Sequence, residues 1–149
     1  MKTAKFTSLI LAIFFAAIFT FTACAGDGGA GGASISLSEK QLVITATSTG
    51  GSLEDTMLSL KETGVISFEG TQGDYGFYIT SLNGYTPDES ANEYWAIYTT
   101  LGEYEGVSYS NADYGTFEYA DRTCCSASYG ISGLPMVEGE IYVLVVETY

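Results

Sequence analysis

The side chains available for chemistry in this 149-residue chain are 18 aspartates and glutamates, 12 tyrosines and three cysteines, with no histidine. Without imidazole there is no Ser-His triad, no histidine general base and no His-ligated zinc, copper or haem. An acyl-transfer site would need a Ser-Lys pair, and neither Lys40 nor Lys61 sits in a flanking motif that makes one. The glycine run from Gly26 to Gly32 precedes neither a P-loop lysine nor a helix, so it is no phosphate cradle. Carboxylates are numerous, yet no spacing singles out an acid/base pair for glycoside cleavage. Asp88, Glu89 and Glu93 lack the order of a calcium loop and offer a weak oxygen-lined site at most. The residue types therefore point away from an enzyme and from a resident metal.

Tyrosine is the anomaly. All 12 lie at or after Tyr75, joined by the single tryptophan, Trp95. A phenol ring has a flat apolar body and a polar tip, and it loses little rotamer freedom when fixed. It suits sites for planar or sugar ligands and partner surfaces, and it suits half-buried strand positions as well. Cys124 and Cys125 are adjacent. They read either as free thiols on opposite faces of a strand or as a strained vicinal disulfide; zinc would need two further ligands.

These groups have to be positioned by a short chain with a distinct leader. Lys2 and Lys5 precede an apolar stretch from Leu9 to Phe19, and small residues lead up to Cys24. That is the order of an export signal, and 11 apolar residues are too few for a membrane span of about 20. The arrangement around Cys24 resembles the lipobox of bacterial lipoproteins, although Phe21 and Thr22 are looser than the favoured residues. The resemblance implies a signal peptide over residues 1–23 and a diacylated Cys24 on the extracytoplasmic face of the cell membrane. Ordinary secretion and retention of the leader as an anchor are the alternatives. Residues 24–34 are glycine-rich and read as a tether, which leaves 35–149 as one domain. Past the leader, Lys40, Lys61 and Arg122 stand against all 18 acids. Clustered cations for nucleic acid are missing, and an anionic bilayer would repel the domain, so membrane contact falls to the lipid.

Within the domain, Leu42 to Thr47 reads as a strand. Ser52 is placed to cap a helix from about Leu53 to Thr63, with Glu54 and Asp55 at its positive end, Leu53, Met57 and Leu60 on one face, and Gly64 to end it. Val65 to Phe68, Gly76 to Leu82, Glu93 to Thr99, Gly115 to Tyr119, Thr123 to Ser128 and Ile141 to Glu147 read as further strands. Asn83-Gly84 supplies a tight turn. One helix packed on a mixed sheet of short strands is an α+β, β-grasp-like arrangement.

Gly76 to Gly84, reading Gly-Phe-Tyr-Ile-Thr-Ser-Leu-Asn-Gly, is followed by Tyr94-Trp95 and by Gly139-Glu140-Ile141-Tyr142. Together with the helix and its Gly64 break, these segments resemble the transcobalamin-like C-terminal domain family. That family includes the small β-domain of intrinsic factor and transcobalamin and a bacterial set of exported or lipid-anchored domains. The resemblance covers residues 35 to 149. It implies a binding module for a small organic ligand, a corrinoid or another planar cofactor, at the sheet edge near Tyr85, Trp95, Tyr98, Thr99, Thr100 and Tyr104. Trp95, as the only tryptophan, is equally suited to the core. The animal proteins complete their corrinoid site with a helical domain not seen here, and Thr99-Thr100-Leu101-Gly102 matches their Ser-Gly-Gly segment only loosely. The other reading is a surface interaction or adhesion domain that binds a protein or glycan through a tyrosine-rich face.

Replacing Cys24 by serine is expected to move the chain from the membrane fraction to the soluble extracytoplasmic fraction. Mass spectrometry should find a diacylglycerol adduct on the parent; a parent without the adduct refutes lipidation.

Overall fold

A computed structural model describes residues 19–23 and 32–149; Cys24, most of the leader and most of the tether lie outside the described residues. The strands are β1 (Phe19–Ala23), β2 (Ala33–Ser38), β3 (Gln41–Ala46), β4 (Phe68–Gly73), β5 (Gly76–Leu82), β6 (Glu93–Thr99), β7 (Glu103–Tyr104), β8 (Val107–Ser108), β9 (Ser110–Tyr119), β10 (Arg122–Ala127) and β11 (Ile141–Thr148). The helix is α1 (Leu53–Glu62). Seven strands form one sheet in the order β1-β2-β3-β11-β6-β10-β9, with β4-β5 and β7-β8 as separate hairpins.

Every described pairing is antiparallel, which corrects the expected mixed sheet. The reason lies in the chain order. α1 and the β4-β5 hairpin carry the chain from β3 to β6, two strands that point the same way, and such a crossover ordinarily places parallel strands side by side. Here the last strand, β11, slots between them and pairs antiparallel with both. The broad α+β class holds, with about half the chain in strands and one α-helix among the described residues.

α1 begins and ends where its residues dictate. Ser52 and Asp55 form a reciprocal capping box: Ser52 Oγ accepts from the Asp55 N–H, and the Asp55 carboxylate accepts from the Ser52 N–H. Leu53, Met57 and Leu60 are buried on the sheet, each stabilising the fold by roughly 2 kcal/mol. The predicted strand at Val65 starts later, at Phe68. The N–H groups of Val65 and Ile66 donate back to the Leu60 carbonyl and close the helix end, so they are not free for a ladder. Two strands precede the one expected at Leu42: β1 comes from the segment read as the leader, and β2 starts at Ala33, inside the segment read as the tether. Asn83 and Gly84 take φ of +50° and +80°, as the turn between β5 and Tyr85 requires.

Two apolar clusters lie on opposite faces of the sheet. The larger joins α1, β4 and β5 to Leu42, Ile44, Trp95, Tyr142 and Leu144. The smaller holds Val43, Ala96, Tyr98, Cys124, Ile141 and Val143, with Phe117 and Tyr119 packed on it. Cys124 and Cys125 are both free; Cys124 is buried in the smaller cluster, where desolvation pushes its thiol up to about 11, and Cys125 is half-exposed. Alternation along β10 separates the two sulfurs.

Tyr142 is the largest fully buried side chain, and its phenol is pushed up to about 12 by burial. Its hydroxyl donates to the Pro135 carbonyl at 2.6 Å and accepts from the Val137 N–H at 3.0 Å. Tyr142→Phe should cost about 1 to 3 kcal/mol by leaving those backbone groups unpaired, and Tyr142→Ala about 3 to 5 kcal/mol by opening a cavity as well. Urea unfolding followed by circular dichroism measures both, and a Tyr142→Phe variant as stable as the parent refutes the hydroxyl's role.

Candidate functional site

The residues anticipated from the sequence do not form one site. Tyr85 is a clamp: its hydroxyl donates to Glu93 at 2.5 Å, the Lys40 ammonium lies 4.6 Å from its ring centre, and its ring meets Trp95 edge-on. Thr99 is fully buried, and its hydroxyl oxygen accepts from the Leu101 N–H. The Thr100 hydroxyl donates to the Glu140 carboxylate and accepts from the Ile141 N–H, tying the end of β6 to the start of β11. Tyr104 lies on the β7-β8 hairpin. These four residues position the backbone and line neither of the cavities described next.

Trp95 and Tyr98 do converge, from opposite faces of β6, on an open groove at its edge. The groove has two lobes. A lobe of about 350 Å³ is lined by Tyr94 to Tyr98, Tyr114 and Ser126 to Gly130. A second, of about 90 Å³, is lined by Phe77, Tyr78, Ile79, Trp95, Ile97 and Gly130. Trp95, Ile97 and Gly130 belong to both, so the lobes adjoin across the strand edge.

The groove follows from where β10 stops pairing. On β6, β10 contacts only Thr99 and Tyr98, through Cys125 and Ser126. Between Cys125 and Ser126 the register on β9 jumps from Thr116 to Asn111, leaving Ala112 to Gly115 as an excursion. β10 then follows β9 away, with the Ser128 N–H donating to the Tyr109 carbonyl. The wedge this opens leaves Tyr94 to Ile97 of β6 outside the pairing with β10. Gly115 has φ of +131°, and a Cβ there would stand 3.3 Å from the Tyr98 hydroxyl. Only glycine lets the excursion pass that close. On the other side, Ser132 Oγ accepts from the Phe77 N–H and fixes the β5 hairpin beside Gly130.

Exposed phenols rim the groove. Tyr114 is 81% exposed and Tyr78 61%, while Tyr129 is 46% exposed and packs its ring against Tyr109. At its floor, Trp95 is only 8% exposed, and its indole N–H is buried with no acceptor among the described residues. Tyr98 and Tyr94 donate to Glu147 at 2.7 and 3.3 Å, and Tyr98 stacks on Phe117. Burial first and the Glu147 carboxylate second push both phenols upward, so they remain protonated donors. Among the described residues no cluster of three cysteine, aspartate or glutamate side chains could hold a metal. The arrangement can stack rings, accept or donate neutral hydrogen bonds and bury apolar groups; it holds no poised base or nucleophile.

Tyr114, Tyr129 and Gly130 were not singled out from the sequence. One local signal was available: Asn111, Asp113 and Gly115 are strand-averse residues inside a β-run, the mark of a bulge.

Beneath the groove, Glu93 is held to about 2 by the Asp88 N–H first, then by Lys40 and by the Tyr85 hydroxyl. A carboxyl depressed in the fold contributes stability above its ordinary value of 4.5 and loses it as pH falls toward 2. Asp55 and Asp88 are depressed too, so the parent weakens in acid for several reasons. Glu93→Gln should be less stable than the parent at pH 7, with the gap closing between pH 4.5 and 2; a gap independent of pH refutes the clamp. Comparison of the chain with protein-family models, with curated proteins and with solved structures returns no match.

Proposed function

We propose that the chain is a lipid-anchored, extracytoplasmic binding module of the transcobalamin-like, β-grasp-like kind, and that its ligand enters the groove beside β6. The observation that carries this reading is the groove itself. Its larger lobe falls within the size range of small-molecule sites, and its wall mixes tyrosine rings with Ser126 and Ser128. Non-catalytic binding fits a site whose phenols are held protonated and which offers no poised base.

The ligand proposed on the family resemblance is a small organic molecule with a flat face, a corrinoid or another planar cofactor. It would stack on Tyr114 or Tyr129 with its periphery turned to the β6 backbone. With no histidine in the chain, the protein supplies no imidazole to a bound metal, and recognition rests on the ring's rim and faces. The second reading, a surface domain for a protein or glycan, is favoured by the exposure of Tyr78, Tyr114 and Tyr129 around one opening.

A panel of cyanocobalamin, cobinamide and haem tests the first ligand class by calorimetry and visible spectra. Binding should leave the spectrum unshifted or modestly shifted and insensitive to pH between 5 and 8. Tyr114→Ala and Tyr129→Ala should each weaken it by about 1 to 2 kcal/mol. Tyr104→Ala, outside the groove, should not. No heat with any member at high micromolar concentration removes the planar-cofactor reading and leaves the surface reading.

A further inference from the structure

We propose that the groove accepts an extended, basic peptide segment as an added strand on the edge of β6. This deepens the surface reading above and rests on the groove being the binding site. Register supplies the first argument. The Thr100 N–H donates to the Ile141 carbonyl and the Tyr149 N–H to the Asn92 carbonyl. The even-numbered residues of β6 therefore turn their peptide groups toward β11, and Trp95 and Ile97 turn theirs the other way. β10 pairs on that side only at Thr99 and Tyr98, so the peptide groups of Trp95 have no strand partner where the residue borders the groove. An unpaired strand edge at the floor of a cleft is the geometry of strand addition, in which main-chain hydrogen bonds fix the partner.

The walls supply the second. Alternate side chains of an added strand point to opposite faces of the sheet. One face meets the apolar lobe between Phe77, Ile79 and Trp95, which has room for a small aliphatic group. The other meets Tyr94, Tyr98 and Tyr114 in the larger lobe. The ligand pattern is thus aliphatic alternating with a long side chain that lies against phenols.

Charge supplies the third and sets the long side chain as lysine or arginine. Glu147 lies under Tyr94 and Tyr98, Asp113 adjoins Tyr114, and Asp74 adjoins Tyr75, whose carbonyl approaches Gly130. Among the described residues the three cations are already engaged: Lys40 with Glu93, Arg122 with Glu140, and Lys61 with the Phe68 carbonyl. A cationic strand meets the Glu147 carboxylate, held by the two lobe-lining phenols, and no free positive side chain among the described residues.

The test uses the full chain in mild detergent and an acetylated, amidated heptapeptide alternating lysine and valine. Its comparators are the glutamate-valine analogue and a lysine-valine peptide of the same charge whose alternate backbone nitrogens are methylated. The basic peptide should bind at least tenfold more tightly than either comparator, and Tyr114→Ala and Tyr129→Ala should weaken it at least fivefold while the circular dichroism spectrum stays unchanged. If the methylated peptide binds as well as the parent peptide but the tyrosine variants weaken both, the groove stands as the site and strand addition is wrong. Binding that is indifferent to Tyr114 and Tyr129 overturns both the groove and the strand; equal binding of the acidic peptide overturns the charge argument.

Discussion

Everything in this molecule hangs on β11 lying between β3 and β6. It is hydrogen-bonded along both edges, and its residues alternate between the two apolar clusters, Tyr142 and Leu144 entering one and Ile141 and Val143 the other. Only β3, its neighbour, matches it in fully buried side chains serving both faces among the described strands. Tyr142 adds a polar anchor: its hydroxyl satisfies two backbone groups of the Pro135 to Val137 segment, which would otherwise be stranded beside a dry core. Thr100 and Glu140 fasten the entry to β11, and Lys40 and Glu93 bridge β2-β3 to β6 across its far end.

With one side of β6 fixed this firmly, its other side can be left incomplete. The wedge where β10 departs costs part of a ladder, and the molecule restores packing there with aromatic rings instead of backbone bonds. Tyr98 stacks on Phe117, while Tyr109 meets Tyr129 and Tyr94 meets Tyr149 at a tilt. Tyrosine serves this role because its ring covers apolar surface while its hydroxyl reaches water or Glu147. The abundance of tyrosine in the sequence thus divides in two: rings that finish an interrupted sheet, and rings that stand free at the groove mouth.

What the sequence made legible was local. Ser52, Asp55 and Gly64 bound a helix whose apolar period is complete in ten residues, and Asn83-Gly84 can only make a tight turn, so both were found. β5 and β6 matched their predicted limits because apolar alternation stops at turn residues on each side. The antiparallel order was hidden because nothing in β3 or β6 records that a strand made some 40 residues later will separate them. The site was hidden for a related reason. Tyr85 and Tyr104 looked surface-directed from their turn-like neighbours, but Glu93 and Lys40 capture Tyr85 from positions 8 and 45 residues away. Trp95, read as suited to both core and site, is part of the main cluster and lines the groove.

The four-residue excursion in β9 has an effect beyond building the groove. β9 is the outer strand of the sheet, and a long, flat outer strand is a template on which another molecule can align and grow a continuous sheet. Ala112 to Gly115 break that template in the middle, Asp113 and Glu118 put like charges along it, and the residues on either side of the break are too few to seed a stable ladder. At the opposite border β1, from the segment read as the leader, pairs with β2; where the leader is removed, the short, serine-rich β2 becomes the border. The molecule thus discourages sheet extension at its outer strand, while β6 keeps an unpaired stretch inside the sheet, between walls that carry tyrosine.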